Sequence, residues 1–86
     1  MFSIVMKDPV RVRLLIGEKW SIREFSRECG ISQPYLSQIL SGKRNPSTVV
    51  AHKVSKALGM KLEDIFFIEV DNKRYNFGVE GYDGKK

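Results

Sequence analysis

The sequence has little of what most catalytic and metal-binding proteins need. Of its 86 residues one is a cysteine, Cys29, and one is a histidine, His52. A single cysteine excludes an internal disulfide and fits a reducing compartment, so we expect a cytoplasmic protein in which Cys29 packs as a small hydrophobic residue. One histidine and the lack of a glycine-rich phosphate loop argue against an enzyme, and no metal or cofactor is expected.

Long apolar segments are also missing. No run approaches the roughly 20 residues that a membrane-spanning helix needs, and the opening MFSIVM lacks the cationic flank and cleavage site of a secretory signal. We therefore expect no membrane contact. A chain of 86 residues predicts one small domain.

Acidic residues are absent from one continuous stretch of the chain. From Ser32 to Lys61 there are five Lys or Arg residues and no Asp or Glu. The net charge of +5 is carried before residue 67, because cations and acids balance after it. A basic sector on an otherwise balanced chain indicates a polyanionic partner, although cations that are merely solvated give the same composition.

Five short helices are predicted up to residue 67. Asp8 followed by Pro9 is typical of a helix start. Ser21 and Glu24 form a capping-box pattern that opens a second helix, which Gly30 ends. The later boundaries are a third helix between Ser32 and Gly42, a fourth from Ser47 or Thr48 to Gly59, and a fifth from Leu62 to about Phe67.

The remainder of the chain changes character. Apolar residues alternate with polar ones on both sides of Asn72-Lys73, at 68–71 and again at 75–79, which is typical of a hairpin. A two-stranded hairpin is marginal alone, so it docks on the helical part, pairs with a second chain, or is disordered. The final GYDGKK is expected to be mobile.

The second and third helices have the spacing of a helix-turn-helix. Ser26 is a small residue four positions before Gly30, and apolar residues occupy the inward positions of both helices. Steeply crossing helices need a small residue where they meet and a glycine where the turn takes positive φ. In this motif the second helix enters the DNA major groove.

With its flanks, this stretch resembles a known family. SIREFSRECGISQPYLSQILSGKRNPS, followed by KALGMKLEDIF, is similar to the lambda repressor/Cro-like helix-turn-helix family, also called XRE-type, over about residues 10–67. The resemblance implies an all-α fold, a five-helix lambda-repressor-like domain over 9–67. An N-terminal arm over 1–8 and a C-terminal extension over 68–86, a hairpin or a disordered tail, would flank it.

The resemblance also implies which residues read bases. Leu36 and Ile39 face inward by helical spacing, which leaves the polar face of the third helix to solvent. A Gln amide can bond N6 and N7 of adenine together, and Tyr35 either contacts DNA or packs against the second helix. The predicted base contacts are Gln33, Pro34, Tyr35, Ser37 and Gln38.

A second group of residues is expected to hold the phosphate backbone. The helix start at Ser32 can present a hydroxyl and an amide to a phosphate, and the family's backbone-gripping loop corresponds to GKRNPS. The predicted phosphate contacts are Ser32, Arg23, Lys43, Arg44 and Asn45.

Together these observations favour a sequence-specific regulator of transcription. By resemblance it would be repressor/Cro-like and bind a palindromic operator as a homodimer, with double-stranded DNA as partner and no small-molecule ligand. The alternative is an antitoxin-like or protein-interaction module whose C-terminal extension binds a second protein. RNA binding is less favoured, because the sequence offers no aromatic platform for unstacked bases.

Overall fold

The structure, a computed structural model, describes residues 2–77. Its elements, in chain order, are β1 (Phe2–Met6), α1 (Pro9–Gly17), α2 (Ile22–Cys29), α3 (Gln33–Leu40), α4 (Thr48–Ala57), α5 (Leu62–Ile65), β2 (Phe66–Val70) and β3 (Lys73–Asn76). The five predicted helices are present. The predicted strand position Val79 and the expected mobility of GYDGKK lie outside the described residues.

Side-chain caps fix where the helices begin. The Asp8 carboxylate accepts a hydrogen bond from the Arg11 amide at 3.1 Å. Ser21 and Glu24 form a reciprocal capping box, in which each side chain accepts from the other residue's amide, at 3.1 and 2.9 Å. These amides have no acceptor within the helix, so the caps satisfy donors that the first turn leaves free.

A three-stranded sheet corrects the expectation of an all-α fold. Strands β1 and β2 pair antiparallel from Phe2 opposite Val70 to Met6 opposite Phe66, and β3 adds to the other side of β2. Ile4 and Met6 are 3% and 8% exposed and join the core. The segment expected as an arm is thus a strand over 2–6. Strand β2, with which it pairs, lies 60 or more residues further along the chain, so no local sequence pattern predicts the pairing.

The predicted hairpin is present as β2 and β3. Asp71 and Asn72 form its two-residue turn, with φ of 51° and 66°, as a turn matched to the strand twist requires. The hairpin is joined to the rest of the chain through a third strand, because β2 pairs with β1 on the side opposite β3. Strand β2 begins at Phe66, so α5 ends at Ile65, earlier than the sequence predicted.

One core joins the helices to the sheet. Its largest fully buried side chains are Phe25, Phe66, Ile16, Leu36, Ile39, Ile65 and Val54. Trp20 packs edge-to-face on Phe25 with 5.0 Å between ring centroids. This packing anchors α2 and α3 against the remaining helices, which fixes the surface that α3 presents.

No helix in residues 2–77 combines the length and the apolar character that crossing a bilayer would require.

Candidate nucleic-acid interface

The turn between α2 and α3 sets how the two helices meet. Gly30 has φ 69° and donates its amide to the Arg27 carbonyl at 3.0 Å, while the Ile31 amide reaches the Ser26 carbonyl at 2.9 Å. Ser26 is 3% exposed, and its hydroxyl donates to the Arg23 carbonyl at 2.7 Å. A small, internally satisfied side chain therefore lies in the core at this turn, as the sequence predicted.

Helix α3 is divided into a buried and an exposed face. Leu36, Ile39 and Leu40 are at most 2% exposed. Tyr35 is half-buried against the core. The exposed members of the predicted reading set are Gln33, Pro34, Ser37 and Gln38. Four of the five predicted base-contacting residues are therefore available to a partner.

The loop after α3 folds back onto the end of that helix. The Gln38 carbonyl accepts from the Ser41 hydroxyl at 3.1 Å and from the Lys43 and Arg44 amides at 2.9 and 3.2 Å. Gly42 turns the chain with φ 79°. The predicted phosphate-gripping loop is thus attached by its backbone to the helix predicted to read bases.

The Arg44 side chain also lies on α3. Its guanidinium carbon is 5.0 Å from the centre of the Tyr35 ring, and Nη1 donates to Oε1 of Gln38 at 3.5 Å. Sequence reasoning placed Arg44 with the phosphate contacts and missed this association. The sequence feature that could have indicated this association is the short turn SGKR. Its glycine lets the chain reverse, which brings Arg44 back over the preceding helical turn.

The sequence model of the helix-turn-helix family matches residues 13–65 of this chain. The chain belongs to the helix-turn-helix family, of the XRE type. The match spans α2, the glycine turn and α3, together with the helices that pack around them.

Named relatives agree with this placement. The protein is 27% identical over 62 residues to the uncharacterized HTH-type transcriptional regulator YvzC of Bacillus subtilis, covering 72% of this chain and 80% of YvzC. It is 32% identical over 68 residues to a second such B. subtilis protein, YgzD, covering 78% of this chain and all of YgzD. A Mycobacterium tuberculosis HTH-type transcriptional regulator is 39% identical over 46 residues, which are 54% of this chain and 33% of that protein.

The other predicted phosphate contacts of this helix-turn-helix protein are also exposed. Ser32 caps α3 by accepting from the Tyr35 amide at 3.2 Å, which leaves its hydroxyl hydrogen free to donate. Lys43 belongs to the loop after α3, and Asn45 lines a cleft between that loop and β1. Arg23 is in the first turn of α2.

In the part of the chain that the structure describes, no carboxylate neutralises the charge around the interface. Within residues 2–77 no carboxylate pairs with Lys43 or Arg44; the ion pair found there joins Arg74 to Glu69 in the hairpin. Lys53 and Lys56 are exposed on α4. The loop after α3 and helix α4 therefore present cations that have no ion pair among the described residues, as a polyanion-binding surface requires.

Within residues 2–77 the structure contains neither a cluster of metal-ligating side chains nor an exposed thiol. Across residues 2–77 no three His, Cys, Asp or Glu side chains converge on a metal-sized space. Cys29 is 3% exposed, as the sequence predicted. Burial raises the pKa of its thiol from 9.0 to about 11, with a smaller contribution from Glu28. The thiol is therefore protonated at neutral pH and a poor nucleophile.

Proposed function

We propose that this helix-turn-helix protein is a sequence-specific, duplex-DNA-binding regulator of transcription. Helix α3 would enter the major groove, and the loop after it would hold the phosphate backbone. The observation that carries the proposal is the attachment of the cationic loop to the last turn of α3, through the Gln38 backbone carbonyl. One rigid unit thus offers both kinds of contact that DNA recognition needs.

Family membership and the names of the relatives support this reading over an enzyme. The finer proposal is a repressor/Cro-like protein that binds a palindromic operator as a homodimer. It is supported by the small size of the interface: one short helix reaches few base pairs, and a two-fold pair doubles the site.

Selection of binding sites from random duplex DNA at physiological salt tests the proposal. We expect enrichment of a two-fold symmetric motif whose half-sites lie about one helical turn apart. Sedimentation of the protein with the enriched duplex should give two chains per site. A pool that stays random would contradict sequence-specific binding, and an asymmetric motif bound by one chain would contradict the palindromic dimer.

The loop's role has its own test in matched lysine variants. Lys43→Ala should weaken binding to every sequence and reduce the slope of log affinity against log salt by roughly 0.9, the value for one phosphate contact. Lys61→Ala, which removes an equally exposed charge at the start of α5, should leave that slope unchanged. Equal slopes for the two variants would contradict phosphate contact by Lys43.

The protein-interaction alternative needs a test that leaves the fold intact. Truncation after Phe67 is unsuitable, because β2 pairs with β1 and would be cut. Tyr75 on β3 is 51% exposed and can be changed to Ser without removing a core residue. If Tyr75→Ser abolishes regulation in cells while DNA binding is intact, the C-terminal extension contacts a second protein.

A further inference from the structure

We infer that Gln38 and Arg44 act as one base-reading unit that selects guanine, with Tyr35 as the residue that positions Arg44. The inference rests on the proposed function and specifies what one position of the site recognises. It departs from the sequence-based expectation, in which a lone Gln amide pairs with adenine.

Two independent contacts place the Arg44 guanidinium on α3. One is its position 5.0 Å from the Tyr35 ring centre, within the range of cation–π attraction. The other is the 3.5 Å hydrogen bond from Nη1 to Gln38 Oε1, which is long for its kind. The backbone holds the side chain's origin, because the Arg44 amide donates to the Gln38 carbonyl at 3.2 Å. The side chain is thus directed along the reading face rather than away from it.

This placement changes what Gln38 offers to DNA. A Gln that reads adenine must accept from N6 with its oxygen and donate to N7 with its amide nitrogen. Here the oxygen already accepts from a guanidinium cation, which places positive charge beside its second lone pair and disfavours the approach of an amino donor. The amide nitrogen keeps both of its donors for a base. The remaining N–H groups of Arg44 add further donors, so the unit presents donors together with a positive charge.

Base-edge chemistry then decides the preference. Guanine shows two acceptors in the major groove, N7 and O6, whereas adenine shows the N7 acceptor beside the N6 amino donor. A donor-rich, cationic unit gains a hydrogen bond at O6 and opposes the amino group at N6. Guanine is therefore favoured over adenine at the base pair that Gln38 faces.

Tyr35 contributes to the unit by positioning the Arg44 side chain. It is half-buried, so its ring is held by the core, and its exposed side supports the guanidinium. Removing the ring frees Arg44 without deleting either reading group. Changing Tyr35 to Phe keeps the aromatic face and should preserve the unit.

Site selection with five variants tests the inference. The position read by the unit is identified as the one whose preference Gln38→Ala abolishes. There the wild type should prefer guanine over adenine by roughly tenfold, within the range for a good base-edge pair. Arg44→Met keeps the length of the side chain but removes its charge and its donors, and should move this preference toward adenine while leaving other positions unchanged.

The remaining variants separate positioning from phosphate binding. Tyr35→Leu should shift the same position in the direction of Arg44→Met, and Tyr35→Phe should retain the preference for guanine. Lys43→Ala should lower affinity for all sequences without altering any preference. Circular dichroism of each variant checks the fold, since Gln38 and Arg44 are exposed and their loss leaves no cavity.

The outcomes distinguish the two proposals. If the wild type enriches no motif, both the proposed function and this inference fail. If a motif is enriched but the Gln38-dependent position is adenine, or Arg44→Met leaves guanine in place, the inference fails and the proposed function stands.

Discussion

Replacing Gly30 by alanine tests whether the turn between α2 and α3 depends on left-handed backbone. At φ 69° an L-residue with a Cβ is disfavoured by about 1–2 kcal/mol. Alanine also lowers the conformational entropy of the unfolded chain, which stabilises the folded state by about 0.4–1 kcal/mol. We therefore expect Gly30→Ala to lower the free energy of unfolding by roughly 1 kcal/mol net of these two effects. In a domain of this size that lowers Tm by about 4–8 °C.

Space around the glycine does not add to this loss. A Cβ at Gly30 would meet the Lys53 ammonium nitrogen at 3.7 Å, an ordinary contact with a flexible side chain. Gly30→Asn distinguishes the effect of backbone conformation from the effect of side-chain volume. Asn is larger than Ala but adopts left-handed backbone more readily. Asn should therefore be less destabilising than Ala at this position.

Gly17 is the matched control. It ends α1, does not have positive φ, and has open space where a Cβ would lie. Gly17→Ala should raise stability by up to about 0.5–1 kcal/mol. Thermal and urea unfolding followed by circular dichroism measure all three variants. The reasoning is refuted if alanine has the same effect at Gly30 and Gly17, or if Asn at Gly30 is worse than Ala.

Three further predictions concern the core, the hairpin and the thiol. Phe25→Ala should lower the free energy of unfolding by about 3–5 kcal/mol and release Trp20 from its packing. Urea unfolding followed by tryptophan fluorescence measures both effects. A loss of less than about 1 kcal/mol would be inconsistent with full burial of Phe25. Asn72→Gly should leave stability unchanged or raise it, since both turn positions have positive φ, whereas Asn72→Ala should lower the thermal midpoint. The pKa of the Cys29 thiol is raised in the folded state to about 11, so the stability that the protonated thiol contributes is complete below pH 9 and is lost as pH rises toward 11. The urea midpoint of Cys29→Ala should therefore decline less steeply at alkaline pH than that of the wild type. Parallel declines of the two midpoints would contradict this.

Much of the helical part could be predicted because its signals are local. The Asp8 cap, the Ser21–Glu24 capping box and Gly30 each act within a few residues, so the sequence shows both partners of every interaction. The same holds for the buried stripe of α3, where helical spacing separates Leu36 and its inward neighbours from the polar face. Those features locate the helix-turn-helix and name the residues available to a partner.

Two features were decided only by the tertiary structure, because each depends on contacts that no local sequence pattern specifies. Strand β1 pairs with β2 across nearly the whole chain, and a five-residue apolar segment has no periodicity that tells a strand from an arm. The association of Arg44 with Gln38 and Tyr35 needs the loop's actual path, since a surface arginine has the same composition whether it stacks on a ring or extends into solvent. The sequence by itself determined which face of α3 is polar. The fold of the loop decided that Gln38 and the half-buried Tyr35 contact one guanidinium, because hydrogen bonding and stacking depend on geometry that spacing alone does not specify.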